Sequence, residues 1–155
     1  WDAACRRVAT WAVLEDIASG KKFFVVNTHL DHVGKEARIK GVTLMLEKAM
    51  EVAKGYPVIL TGDFNSIPTS DVVKYVIDDS TPHSLSDSRS LAKTKVNKDG
   101  TYHNFGKLIG NEREYIDYIF VSKGTDVDKY EVIEDKLNGI FLSDHNPVFT
   151  KIIVS

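Results

Sequence analysis

The sequence holds a single cysteine, Cys5, so no internal disulfide can form. That leans away from a disulfide-stapled secreted mini-domain and leaves the compartment open. No apolar run approaches the roughly 18 residues of a membrane-spanning helix, so no such span is expected. Positive charge is not in excess. Lys and Arg number 20 against 22 Asp and Glu, for a net charge of −2. This excludes a protein that holds nucleic acid by bulk charge alone, but not a nuclease that works through a metal and a few local cations. Phosphate-binding Walker loops, Gly-x-Gly-x-x-Gly turns, Gly-x-Ser-x-Gly elbows and Cys/His zinc spacings are all missing. No internal repeat, low-complexity tract or linker divides the chain.

What is present is one domain's worth of ordinary globular sequence. It has 155 residues, 43% of them hydrophobic and 27% charged, enough for a single core and against disorder. The chain opens on Trp1 with neither an initiator methionine nor a signal-peptide pattern, which reads as a start in mid-protein.

Hydrophobic patterning divides the chain into elements. Val8–Glu15 alternates loosely, a turn follows at 19–22, and Phe23–Leu30 is aromatic and β-branched, so a hairpin is expected. The period becomes helical from Glu36 to Lys54, with Ala37, Val42, Met45, Leu46, Ala49, Met50 and Ala53 on one stripe and Gly55 placed to end it. Pro57–Thr61 suits a strand buried on both faces. Thr69-Ser70-Asp71 caps a short helix over Val72–Ile77. Asp78–Gly100 is the longest weakly patterned stretch, with room for a helical turn near Leu85–Leu91. Strands follow at Tyr115–Val121, Tyr130–Ile133 and Pro147–Val154. Strands outnumber helices and alternate with them only in part. The expected class is therefore α/β in layers, a mixed sheet with flanking helices, rather than a strictly wound parallel sheet.

Four stretches share one habit: each sets polar, chargeable groups at the end of an apolar strand. They are Asn27-Thr28-His29-Leu30, Thr61-Gly62-Asp63-Phe64-Asn65, Ile116-Asp117-Tyr118 and Ser143-Asp144-His145-Asn146-Pro147. Strand ends converge on one rim of a sheet. A rim carrying Asp, Asn and His suits a hard-cation phosphate site, because carboxylate and amide oxygens take Mg²⁺ or Mn²⁺ while imidazole moves protons. Gly62 allows a tight backbone, and Asp63 and Asn65, two apart, face the same way on an extended chain. Taken alone, an Asx-turn is the simpler reading of that stretch. Asp144 and His145 face opposite ways if extended, so Asp144 is free to face a metal while another carboxylate orients His145. Asp117 is the candidate orienter, because a carboxylate among apolar strand residues needs a partner. His29, taken alone, reads as a satisfied structural histidine. Asp31 and His32 read as loop residues and His83 as surface. His103 is poised between substrate contact and packing. Cys5 reads as an ordinary small apolar residue.

Together and in this order, the four stretches resemble the endonuclease/exonuclease/phosphatase superfamily. The Trp1-Asp2 and Arg7 opening and Thr101-Tyr102-His103 are most similar to a bacterial branch of it. The resemblance implies metal-assisted hydrolysis of a phosphate ester by an activated water. On it, His145 is the general base, oriented by Asp117. Asp63 and Asn65 bind the phosphate and position the water, or hold a metal in some members. Asp144 helps ligate Mg²⁺ (or Mn²⁺), and His29 donates to the phosphate or acts as general acid. The substrate is a phosphate ester, whether nucleic acid, phospholipid head group or sugar phosphate.

The resemblance also implies a departure. The full fold is a four-layer α/β/β/α sandwich whose first half brings an early Asn and a Glu metal ligand, and nothing here matches them. Glu15 and Glu36 lie outside the expected strand context. Residues 1–155 are thus expected to form about half of that sandwich, the C-terminal part of a single domain. The bare sheet face would take the missing N-terminal half or a second copy. The expectation that follows is weak or absent hydrolysis. A catalytically silent family member acting as a binding module is the alternative. The third reading is an α/β domain whose strand-end polar groups merely form turns.

Overall fold

The computed structural model describes residues 1–97, 100–134 and 136–153. Its centre is a five-stranded mixed sheet. Strand β1 (Ala9–Glu15) and β2 (Lys22–His29) form the expected antiparallel hairpin. Helix α1 (Lys35–Ala53) crosses over to β3 (Val58–Asp63), which lies parallel to β2 with Thr28 opposite Gly62 and His29 opposite Asp63. Helix α2 (Asp71–Ile77), its first turn capped by the Ser70 hydroxyl, leads to β4 (Leu85–Asp87) and the single-turn helix α3 (Ser88–Leu91). Strand β5 (Thr94–Val96) follows, so the long polar stretch is more structured than its composition announces. Strand β6 (Asp117–Ser122) inserts antiparallel between β3 and β4, giving the order β1-β2-β3-β6-β4.

A second sheet, β10-β7-β5, joins β7 (Asp126–Val132) to β5 in parallel and to β10 (Val148–Ile153) antiparallel. The expected last strand ran one residue further, to Val154, which lies outside the described residues. A small hairpin of β8 (Lys136–Leu137) and β9 (Ile140–Phe141), absent from the sequence reading, precedes the Ser143–Pro147 loop. The class is mixed α/β, as expected.

Strand pleating sorts the large sheet into two faces. Phe24, Val26, Val58, Leu60, Tyr118 and Phe120 share the face covered by α1 and α2 and are buried. Phe23, Val25, Ile59, Thr61 and Ile119 share the other and are only partly buried. The expectation that β3 is buried on both faces is therefore corrected. Val58 and Leu60 are inside, while Ile59 and Thr61 are half-covered.

The N-terminal segment straps the helix. Gly34, which stands at the N-cap of α1, offers no side chain to the first amides. The Asp2 carboxylate takes the Glu36 and Ala37 amides instead. Asp31, 2% exposed, accepts from the amides of Cys5, Val33 and Gly34. Cys5 is exposed, not tucked away as a small apolar residue; only its amide is anchored. Between this strap, β1, β2 and α1 lies a cavity of about 830 Å³ lined by Trp11, Phe24, Leu44 and Met45 among others. Among the described residues, no helix is long and apolar enough to cross a membrane.

Candidate active site

The parallel pairing of β2 with β3 and the antiparallel pairing of β3 with β6 bring His29, Asp63 and Asp117 to one level at the end of the half-covered face. Backbone bonds fix that level: the Leu30 amide donates to Asp63 O and the Phe64 amide to Ile116 O. Gly62 is required there. Its φ is +147°, and an added Cβ would collide with the Thr28 carbonyl of the neighbouring strand.

The Ser143–Pro147 loop brings His145 over this level. Its Nδ1 lies 2.8 Å from Asp117 Oδ2, and its Nε2 lies 3.9 Å from Asp63 Oδ2. His29 Nε2 approaches the same Asp63 oxygen at 3.2 Å. Ligating atoms of Asp63, Asp117 and His145 all lie within 4.8 Å of one another. Burial pushes the Asp63 carboxyl above its usual range. The Asn65 amide opposes that shift and the Asp117 charge reinforces it. The hydrogen bond to Asp117 raises the His145 imidazole above its ordinary value, against the effect of burial.

Asn65 and Asp144 stand differently. Asn65 has a left-handed backbone, φ +46°, so the chain is not extended there. Its amide donates to Asp63 Oδ1 in an Asx-turn, and its side-chain Nδ2 donates to Leu30 O, 2.9 Å away. The turn thus aims the Asp63 carboxylate and ties β3 to the end of β2. Asp144 does not join the Asp63–Asp117–His145 cluster. Its carboxylate lies near Ser143 Oγ at 3.5 Å, while its carbonyl accepts from the His103 and Asn104 amides.

Thr101, quoted in the resemblance but given no role by it, sits at the hub. Thr101, fully buried, donates its hydroxyl to Asp117 Oδ2 at 2.5 Å and accepts from the Ile116 and Asp117 amides. Its carbonyl accepts from the Asn146 amide. Thr101 therefore clamps the Asp117 strand to the His145 loop. No local pattern marks it, because every partner is more than a dozen residues away. Tyr102 pairs with both Glu114 and His145, its ring 5.0 Å from the imidazole. His103 is buried, with its ring 4.1 Å from Phe141, and burial lowers its pKa. Its ring packs on Phe141 and its Nδ1 accepts from the Gly106 amide, both structural contacts. His83, read as surface, is half-buried.

Fold and rim together define a mixed α/β protein with a carboxylate-held imidazole and a metal-capable acidic cluster at its strand ends. The model of the Endonuclease/Exonuclease/phosphatase family matches residues 4–145, and the chain belongs to that family. A family member from Bacteroides vulgatus is 36% identical over all of this chain, which covers 58% of that one, with a TM-score of 0.92. The mannosyl-6-phosphatase of Bacteroides thetaiotaomicron is 32% identical over 99% of this chain and 59% of its own, with a TM-score of 0.88. The catalytic domain of human Nocturnin, solved with a bound sulfate anion, is 25% identical over 96% of this chain and 53% of its own, at 0.70. The chain therefore spans less than two thirds of the length of these relatives. No curated protein matches this sequence.

Proposed function

We propose that the chain is the C-terminal part of a metal-dependent phosphoester hydrolase domain that activates water through His145. The observation that carries this reading is the relay Thr101–Asp117–His145, which ends beside Asp63. Asp117 fixes the imidazole by its Nδ1 and leaves Nε2 directed at the space above Asp63, where a base must stand to take a proton from water. His29, on the far side of Asp63, is placed to donate to a phosphoryl oxygen.

The donor set fits a hard divalent cation. Two carboxylates crowd together with no cationic side chain paired to either among the described residues, the two histidines aside. Asp117 is engaged by Thr101 and His145, so Asp63 is the carboxylate left to hold Mg²⁺ or Mn²⁺, with Asn65 Oδ1 as a further oxygen donor; Asp144, outside the cluster, would join only if its side chain turned from Ser143. Bound there, the ion supplies Lewis-acid stabilisation of charge developing on the phosphoryl group. Mg²⁺ is held by few carboxylates, the remaining positions going to waters and phosphate oxygens.

Similarity to a mannosyl-6-phosphatase supports a sugar phosphate as substrate over nucleic acid or a phospholipid head group. The half-covered sheet face supports a covering layer, either the rest of the domain or a second copy of this chain.

Thermal melting tests the site without requiring turnover. Mg²⁺ and inorganic phosphate together are expected to raise Tm by ligand linkage. Asp63→Asn is expected to lose the Mg²⁺-dependent part, and His145→Ala the phosphate-dependent part. An unshifted wild-type Tm in millimolar Mg²⁺ and phosphate would overturn the reading in favour of a silent binding module.

A further inference from the structure

A second cluster of ligating side chains stands apart from Asp63, Asp117 and His145. Cys5, Asp31 and His32 each offer one ligand atom, and these three atoms lie within 4.8 Å of one another. The two clusters share no residue. Sequence spacing does not announce the second, because Cys5 and Asp31 are 26 positions apart.

The backbone assembles it. The Cys5 amide donates to Asp31 Oδ2 at 2.9 Å, which sets the strap against the loop between β2 and α1. The amides of Val33 and Gly34 both donate to Asp31 Oδ1. A carboxylate oxygen accepts two hydrogen bonds, so Oδ1 is filled and Oδ2 keeps room for one more partner. Asp31 is thus a fixed, buried ligand, while the side chains of Cys5 and His32 stand outside it.

Thiolate, imidazole and carboxylate are the ligand types of Zn²⁺. The sulfur sets this cluster apart from a site for Mg²⁺, which takes oxygen. Zn²⁺ bonds of about 2.3 Å to sulfur and about 2.0 Å to nitrogen place tetrahedral ligand atoms roughly 3.5 Å apart. Rotation of the Cys5 and His32 side chains that closes the cluster by about 1 Å gives that spacing. The group that must yield is Arg7, whose Nη2 donates to His32 Nδ1 at 3.3 Å. A cationic donor there takes the lone pair a metal would use. Its hold is weak, since the bond is long and Arg7 Nε is buried with no partner among the described residues.

We propose that Cys5, Asp31 and His32 bind Zn²⁺, which fastens the N-terminal strap to the β2–α1 loop. The chain supplies three ligands and water the fourth. The Cys5 thiol gives up its proton on binding. The proposal is independent of the hydrolase reading, whose Mg²⁺ or Mn²⁺ is assigned to Asp63.

The test uses Co²⁺ in place of Zn²⁺, because thiolate-bound cobalt absorbs in the near ultraviolet and the chain has one cysteine. The band therefore reports Cys5 alone. Titration of the protein with Co²⁺ is expected to raise this band to saturation, and equimolar Zn²⁺ to remove it, whereas millimolar Mg²⁺ leaves it. Asp63→Asn is expected to keep the band and Cys5→Ser to abolish it. His32→Gln is expected to weaken Co²⁺ binding by at least the roughly 10-fold that loss of a ligand's hydrogen-bond partner costs. Both substitutions leave the amides that hold Asp31 in place, so each variant is expected to fold. Zn²⁺ is further expected to raise Tm in wild type and in neither of these two variants. Equal Co²⁺ affinity in wild type and His32→Gln means a lone thiol binding cobalt and overturns the proposal. So does the absence of a thiolate band in wild type.

Discussion

Strands β1 and β3 flank β2 on opposite sides, and both are largely apolar, yet they end in opposite environments. In β3, Val58 and Leu60 are buried beneath the helices. In β1 every residue is exposed, including Trp11, Val13 and Leu14. The difference lies in what stands across from each strand, not in composition. Helix α1 crosses over between β2 and β3 and covers them, whereas the groove between α1 and β1 stays open. The site is built at the β3 side of β2, on the half-covered face. Asp63 ends β3 and Asp117 begins β6, so the two carboxylates meet across paired central strands, and the open cavity touches neither. Rigid placement of a reacting group thus comes from the strands that carry the core.

Several measurements would break or sharpen this contrast. The largest expected effect is Leu60→Ala. It removes a fully buried side chain and is expected to cost about 2–5 kcal/mol in urea unfolding, whereas Val13→Ala in β1 is expected to cost under about 1 kcal/mol. Equal costs would mean that the groove is closed in solution. Next comes Thr101→Val, which leaves the Ile116 and Asp117 amides and the Asp117 carboxylate short of a partner. A loss of about 1–3 kcal/mol is expected, with faster hydrogen exchange at Ile116 and Asp117. The smallest effect concerns acid on the strap side. Backbone amides, that of Gly34 foremost and then that of Cys5, hold the Asp31 carboxyl well below the usual carboxylate range. A depressed folded pKa gives stability that is fully present above the unfolded value near 3.9 and lost as pH falls toward the folded one. Wild type is therefore expected to lose stability more steeply than Asp31→Asn between about pH 4 and pH 2. Parallel slopes would remove Asp31 from the strap.

The elements and the rim differ in how legible they are. Strands β1, β2, β3, β6, β7 and β10 and helices α1 and α2 show in hydrophobic periodicity, since each carries its apolar pattern within its own few residues. Strands β4 and β5 do not, being three residues each in a polar stretch, and the β8–β9 hairpin is shorter still. Asp117 stands out in sequence because a carboxylate is misplaced among apolar residues, and the structure gives it two polar partners. Thr101 gives no such signal. A threonine is unremarkable anywhere, and its value arises only when β6 and the His145 loop arrive from distant parts of the chain. Asp31 is similar. Its neighbours in sequence are a loop, but the Cys5 amide that fixes its role comes from 26 positions away. Asn65 is a divided case: the extended geometry expected of it gives way to the Asx-turn weighed beside it, with the Asn65 amide donating to the Asp63 carboxylate and its side-chain Nδ2 to Leu30 O.

The Asp2 cap on α1 bears on the order of assembly. Most helices close their first turn with a residue beside them, so the turn forms as soon as the segment is made. Here the amides of Glu36 and Ala37 await a carboxylate more than thirty positions upstream. Nucleation of the longest helix is thereby tied to a distant docking event. Fraying at that end and release of the first residues become one cooperative step rather than two.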